Sequence, residues 1–386
     1  MATALIAELE RDLAKRRAEG LSRVRRLVDS AQGPRVVVDG RVMLAFASND
    51  YLGLASDASI VNAAREGALR WGVGAGASHL VCGHQTPHAE VEAALASYVA
   101  PCADSRAILF SSGYLANLAI LSALADRSTA IFADRLNHAC LNDGALLSRA
   151  ELVRYSHGDA AALRSRLERS PAKRKLIVTD AVFSMDGTIA PLLELAALAG
   201  EHDAWLVVDD AHGFGINGGG RGTLAQLRIG GDRVVVMGTL GKAAGVAGAF
   251  VVAHAAVIET IVQTARPYIY TTAQPALLAC AIGAALAAIR AADDRRAHLF
   301  ALVERFRAAL VDSAFTLRNS PMPIQPLIVG DNTASVALSE RLASQGILVP
   351  AIRPPTVPIG SARLRVSLSA AHSEAEVDAL THALLH

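Results

Sequence analysis

Cysteine is scarce and scattered in this 386-residue chain: Cys82, Cys102, Cys140 and Cys280 form no CxxC pair. That spacing argues against a disulfide framework and against a zinc site, and leaves ordinary reduced thiols of a cytoplasmic protein. Aromatic residues make up only 4% of the chain while alanine is abundant, which points to closely packed helices. An excess of either charge is missing as well, with 37 Lys+Arg against 36 Asp+Glu. A nucleic-acid-binding or membrane-surface protein would carry a basic stripe instead. No apolar run has the length of a membrane span; the longest, PALLACAIGAALAAI (275–289), is short, Ala-rich and reads as a buried helix. Internal repeats and low-complexity linkers are lacking. The Arg-rich opening, MATALIAELERDLAKRRAEGLSRVRRL, contains Glu8, Glu10, Asp12 and Glu19, whereas organelle presequences are poor in acids. It reads as an N-terminal helix.

What is present is a hydrophobic share of 52%, enough for a sizeable core. From about residue 105, short β-rich runs alternate with helical stretches. The runs are RAILF (106–110), TAIFAD (129–134), ELVRYS (151–156), KLIVTDAVFS (175–184), AWLVVDDA (204–211) and RVVVMG (233–238). Continuously apolar strands separated by helices imply a mainly parallel sheet covered on both faces, an α/β fold. After the Ala-rich helix, RRAHLFALVERFRAALVD (295–312) is amphipathic, and strands are expected near 324–330, 347–352 and 362–368. These form a smaller α+β unit. The expected division is an N-terminal helix and arm over 1–45, a large domain over 46–285 and a small domain over 286–386.

In VVVMGTLGKAAGVAGA (234–249) a single lysine, Lys242, stands among apolar residues and glycine. Burying an ammonium there is costly unless it is paired or loses its charge. Ligands of an open parallel sheet sit beyond the carboxyl ends of the strands, and the informative residues fall there. SSGY (111–114) opens a helix with free N–H groups and a glycine, an anion cradle that taken alone is no more than ordinary capping. DDAH (209–212) ends one strand and GTLGK (238–242) the next. On its own the former reads equally well as a capped strand end with a core histidine. Together they bring Asp209, His212, Thr239 and Lys242 to one edge. That set matches what pyridoxal 5′-phosphate (PLP) requires: a lysine for the Schiff base, a carboxylate for the pyridine nitrogen and a phosphate site.

Over nearly its whole length the chain resembles the α-oxoamine synthases, PLP enzymes of the aminotransferase-like fold type I. The resemblance is carried by FASNDYLGL (46–54), GVGAGASHLVCGH (72–84), ADRLNHAC (133–140), VFSMDGTIAPL (182–192), VVDDAHGFG (207–215), GTLGKAAGVAGA (238–249) and IRPPTVPIGSARLRVSLSAAH (352–372). The last looks most like the biotin-pathway branch. The resemblance implies that Lys242 forms the Schiff base, Asp209 pairs with the pyridine nitrogen and His138 stacks on the ring. It places His212 and Ser184 on the ring-hydroxyl side and gives the phosphate to Gly113, Tyr114 and Thr239. Family members are homodimers, so Thr271 and Thr272 are expected to reach the partner's phosphate. Arg365, or its neighbour Arg363, is the expected carboxylate clamp, since a guanidinium grips a carboxylate bidentately. Arg23, Asn49 and Thr356 fall at substrate-binding positions, although Arg23 reads nearly as well as a solvated helix residue. No metal is implied.

The implied reaction is the decarboxylative joining of L-alanine to a pimeloyl thioester, carried on CoA or on acyl carrier protein, with Lys242 as the base at Cα. The competing readings within the family are a glycine C-acetyltransferase, a 5-aminolevulinate synthase and a serine palmitoyltransferase; outside it they are an aminotransferase on the same fold and a non-catalytic descendant. The chain departs from the family pattern at Ala244, where a bulky residue is usual, at Ala247, where a small hydroxyl is usual, and at His79, where arginine is frequent.

Overall fold

The computed structural model describes residues 3–386. Fourteen strands run in chain order: β1 (Arg35–Val38), β2 (Arg41–Ala45), β3 (Ser105–Phe110), β4 (Thr129–Asp134), β5 (Glu151–Tyr155), β6 (Arg174–Asp180) and β7 (Trp205–Asp209), followed by β8 (Val234–Thr239), β9 (Ala249–His254), β10 (Thr316–Leu317), β11 (Ile324–Gly330), β12 (Ile347–Leu348), β13 (Ala351–Ile352) and β14 (Ala362–Ser367). They form two compact units.

The first unit comprises 49–184 and 188–297 and holds a seven-stranded sheet of order β3-β9-β8-β7-β6-β4-β5. Successive side chains of a strand point to opposite faces, so an apolar strand needs cover on both. Ile131, Val178, Val207, Val235 and Val251 pack into one buried cluster with helices Gly113–Leu124 and Ala139–Ser148. Their neighbours Phe132, Ile177, Val208 and Val236 pack into another, with helices Ala160–Arg169 and Leu192–Glu201. Each such side chain contributes roughly 1.5–3 kcal/mol by leaving water. The scarcity of aromatics is met by close backbone approach. At Gly67, in helix Ala58–Trp71, an added Cβ would lie 3.0 Å from Cys280 and from the Leu277 backbone on helix Ala276–Arg290.

The sheet is parallel except for β9, which runs antiparallel to both β3 and β8. Sequence reading lacks this strand for a physical reason. The chain leaving β8 turns straight back, with Leu240 N donating to Gly248 O, and no helix intervenes to announce a new strand. The run expected over 175–184 likewise stops at Asp180. From Ala181 the chain folds into a hairpin, in which Ala190 N donates to Ala181 O and Val182 bridges Ile189.

The second unit gathers the chain up to Ser48, residues 185–187 and everything from His298 onward. Its sheets have the orders β10-β11-β14-β13 and β1-β2-β12. The units therefore divide at His298 rather than at 286, and the N-terminal arm is not separate. β2 pairs in parallel with β12, and Ser367 N donates to Phe46 O, contacts that join distant stretches of sequence. The strand expected over 347–352 is two strands, because Pro350 lacks the N–H needed to continue a ladder. Helix Ala4–Ala18 forms as expected and buries none of its residues. Among the described residues no single helix is long and apolar enough to cross a membrane.

Candidate active site

Register places the carboxyl ends of β6, β7 and β8 side by side, with Asp180 opposite Asp209 and Asp209 opposite Met237. Asp209 closes β7 and is buried; its Oδ2 accepts from Asn117 Nδ2 at 2.7 Å and its Oδ1 from Ala211 N at 3.0 Å. Asp210 is turned away, accepting from Thr223 N and Oγ1, and burial pushes its carboxyl up to about 7. Of the two acids in DDAH, only Asp209 belongs to the cluster.

Lys242 lies in the connection from β8 to β9, half-buried, with Nζ 2.8 Å from His212 Nε2. His212 Nδ1 is 2.7 Å from the Tyr51 hydroxyl, which donates to Asn49 Oδ1 at 3.1 Å. With the amine donating to Nε2, the imidazole proton sits on Nδ1 and faces Tyr51. A row of three side chains, His212, Tyr51 and Asn49, thus orients the lysine. Ala244 is completely buried, so the departure there lies in the packing beneath the lysine, whereas Ala247 is exposed. The loop itself is seated tightly: a Cβ on Gly245 would come 2.5 Å from the backbone of Leu54 and Ala55.

His138 is the N-cap of helix Ala139–Ser148, and its backbone N–H donates to Asp180 Oδ2 at 2.7 Å. Burial lowers the basicity of its ring; the Asp209 charge opposes this and the Lys242 charge adds to it. Asp180 is fully enclosed, and burial followed by the Asp209 charge holds its carboxyl well above the usual range.

Ser112 caps helix Gly113–Leu124 by accepting from Leu115 N at 3.3 Å. The amides of Gly113 and Tyr114 in the first turn have no acceptor within the helix. The Tyr114 hydroxyl is committed to Asp143, so what this residue offers an anion is its backbone. Thr239 Oγ1, at the end of β8, donates to Gly248 O at 3.1 Å. Ser184 is half-buried in the hairpin after β6. Thr271 is half-buried and Thr272 exposed in the irregular stretch before helix Ala276–Arg290, and neither is bonded to the residues just described. His79 opens a π-helical turn, stacks on Tyr268 and lies with Nδ1 3.0 Å from His84 Nδ1. Burial, then its histidine neighbours, push its pKa down to about 4, so it is a neutral stand-in for arginine.

The second unit contains the other expected residues. Arg363 and Arg365 are both buried on β14. Arg363 is occupied: Nη1 lies 2.6 Å from Asp186 Oδ1, Nη1 also donates to Met185 O at 3.2 Å, and Nε donates to Ser361 O at 2.9 Å. Arg365 Nη1 donates to Ser367 Oγ at 2.7 Å. Arg23 Nη2 lies 3.4 Å from Thr356 Oγ1, beside a cavity of about 280 Å³ that both line with Arg353 and Ile352.

Sequence reasoning missed Tyr51, Asn117 and Asp180. Asn117 carried a usable signal, being a lone amide in the otherwise apolar helix GYLANLAILSAL. Tyr51 sits inside a motif already singled out, but nothing local ties it to His212.

The model of the family "Aminotransferase class I and II" matches residues 41–384. The chain is 54% identical over 383 residues to the 8-amino-7-oxononanoate synthase of Azoarcus sp. (strain BH72), covering 99% of this chain and 97% of that one. Among solved structures it is similar to a serine palmitoyltransferase from S. paucimobilis with a bound PLP–myriocin aldimine. The TM-score there is 0.93 at 29% identity, over 99% of this chain and 98% of the other. It is also similar to the 8-amino-7-oxononanoate synthase of Francisella tularensis, with a TM-score of 0.77 and 31% identity over 89% of this chain and 96% of that chain.

Proposed function

The chain belongs to the aminotransferase class I and II family, and from that premise we propose that it is an 8-amino-7-oxononanoate synthase. It joins L-alanine to a pimeloyl thioester and releases CO2, the free thiol carrier and 8-amino-7-oxononanoate, a step of biotin synthesis. Identity favours this reading over the serine palmitoyltransferases, at 54% against 29%. The observation that carries the chemistry is that Lys242 and Asp209 emerge at one sheet edge, with the lysine amine held 2.8 Å from His212.

The cofactor is PLP, which when bound supplies an electron sink for charge developing at the amino acid's Cα. The residues present fit it. A Cβ on Gly113 would come 3.3 Å from the Met237 methyl, so glycine lets the first turn of the helix, with its free amides, sit close against β8 beside Asp209 and Lys242. Asp209 holds a proton on the ring nitrogen, and Asn117 and Ala211 hold Asp209. His138 would cover the ring face, and His212 and Ser184 would take its hydroxyl side. The amides of Gly113 and Tyr114, with Thr239, bind the phosphate, joined in a homodimer by Thr271 and Thr272 of the other subunit. Lys242 would hold the cofactor through Nζ, and its free amine is the base placed to take the Cα proton. His212 then receives the amine's hydrogen bond and keeps it aimed. Arg23 and Thr356 bind the acyl substrate. Asn49 acts at one remove, by fixing Tyr51.

Arg365 clamps the alanine carboxylate, because Arg363 is already spent on Asp186. Arg365→Met is expected to raise the KM for alanine about 10- to 100-fold, the worth of a charge-assisted pair, and to lower the melting temperature less than the Arg363 substitution does, although its bond to Ser367 is lost. Arg363→Met is expected to cost about 1–3 kcal/mol of stability, because it removes the buried guanidinium's bonds to Asp186, Met185 and Ser361 and leaves Asp186 with Arg318 alone, 3.7 Å away. Steady-state kinetics and thermal melts of both variants check this; the reverse pattern reassigns the clamp.

The activity is tested with pimeloyl-, acetyl-, succinyl- and palmitoyl-CoA against glycine, alanine and serine, measuring released CoA. Alanine with pimeloyl-CoA is expected to be fastest. A faster glycine–acetyl or serine–palmitoyl pair overturns the assignment within the family. Transamination of alanine without CoA release overturns the reaction class.

A further inference from the structure

Two side chains, Cys140 and Asn117, link the histidine and the carboxylate assigned to the cofactor. His138 Nδ1 accepts from the backbone N–H of Cys140 at 3.3 Å, and the Cys140 sulfur lies 2.8 Å from the same nitrogen. On the far side of that sulfur, Asn117 Nδ2 approaches to 3.1 Å, and the same Nδ2 lies 2.7 Å from Asp209 Oδ2. Asp209 sets the orientation of the amide. A carboxylate accepts and does not donate, so Nδ2 rather than Oδ1 must face it. The buried Oδ1 of Asn117 has no hydrogen-bond partner among the described residues, which leaves the amide's role as a double donor. One N–H goes to Asp209 and the other to the sulfur.

A sulfur that accepts from Asn117 keeps its own S–H for His138. Burial, then the Asp209 charge, push the Cys140 thiol up to about 12, so the proton stays on sulfur. His138 Nδ1 therefore faces two donors, one backbone and one thiol. A ring proton on Nδ1 would confront both, so the neutral imidazole carries it on Nε2.

We propose that Cys140 is a positioning residue of this site: its S–H fixes His138 as the Nε2–H tautomer and ties that ring, through Asn117, to the Asp209 carboxylate. The consequence for catalysis rests on the reading of His138 and Asp209 as cofactor contacts. Under it, the group over the ring face and the group on the ring nitrogen are held as one hydrogen-bonded unit. The charges that face His138 are Asp209, Lys242 and Asp143, with Asp180 on its backbone N–H; none of them replaces the thiol as donor to Nδ1.

The test is an NMR titration of the His138 ring in the full chain, run with and without PLP, for the unsubstituted protein, Cys140→Ala and Cys140→Ser. Losing a donor to the neutral ring is expected to raise its proton affinity about 5- to 10-fold in Cys140→Ala. Cys140→Ser, which keeps a donor, is expected to restore it. An unchanged midpoint in Cys140→Ala overturns the inference, and so does a serine variant that titrates like alanine, since volume alone would then account for the cysteine. Nitrogen-15 correlation spectra of the unsubstituted protein give a check independent of any variant: a proton found on Nδ1 also overturns it. With PLP bound, the pH profile of the cofactor absorbance is expected to move in Cys140→Ala in step with the ring. A ring that shifts while the absorbance profile stays fixed leaves the Cys140 link standing and overturns the placing of His138 on the cofactor.

Discussion

Lys242→Ala is expected to abolish turnover while leaving the fold intact. Removing the base at Cα alone costs about 10²- to 10⁴-fold, and loss of the covalent attachment adds to that. The protein should remain stable, because the substitution takes a half-buried amine out of a run of glycine and alanine, and a buried charge is itself a cost. Its neighbours Ala243 and Ala244 are already completely enclosed, so the loop from β8 to β9 has other anchors. Three measurements together make the case: the visible absorbance of the cofactor-loaded protein, borohydride fixation of the cofactor followed by peptide mapping, and a thermal melt. The unsubstituted protein should be coloured and fixable at the peptide containing Lys242. The variant should be neither, with an unshifted melt. A cofactor that borohydride still fixes to the same peptide region in the variant would falsify the assignment of Lys242.

The part of this site that could be read from sequence is the part that is local. Asp209, His212, Thr239 and Lys242 were legible because each follows directly on an apolar strand, and strand ends of a parallel sheet share an edge. The central strands were legible because β4, β6, β7 and β8 are buried on both faces along most of their length, which forces continuous apolar runs. What was not legible depends on partners far away in the chain. Asn117 matters through Asp209, Tyr51 through His212, and Asp180 through the backbone of His138. No local pattern encodes those pairs. Arg363 and Arg365 were indistinguishable for the same reason: alternation puts both on one face, and the pairing of Arg363 with Asp186, a residue of a distant loop, leaves no local mark. β9 was missed because the antiparallel return falls within the segment whose glycines already had an explanation as space around the lysine. The unit boundary moved because the pairing of β2 with β12 leaves no mark on composition.

Asp209→Asn is expected to separate binding from chemistry. The side chains are nearly isosteric, and Asn117 Nδ2 can donate to the oxygen of the new amide as it does to the carboxylate at 2.7 Å. An amide has one oxygen where the carboxylate has two, so with that oxygen facing Asn117 its NH2 faces the Ala211 N–H, and one hydrogen bond at the strand end is lost. The shape of the strand end is kept, and removal of a buried charge offsets the lost hydrogen bond, so the melting temperature should change little. What is lost is the negative charge that keeps a proton on the ring nitrogen of the bound cofactor, and with it the pull on electrons released at Cα. Removing one preorganised electrostatic partner from a catalytic site costs roughly 10²- to 10³-fold, and the loss should fall on the proton-transfer step. The measurement is exchange of the alanine Cα hydrogen with deuterated solvent, followed by NMR in the absence of acyl thioester, beside equilibrium binding of PLP. Retained binding with slowed exchange is the expected pair. Exchange at the unsubstituted rate would show that the ring nitrogen takes its proton from elsewhere, and Asp209 would then be a structural strand cap held by Asn117.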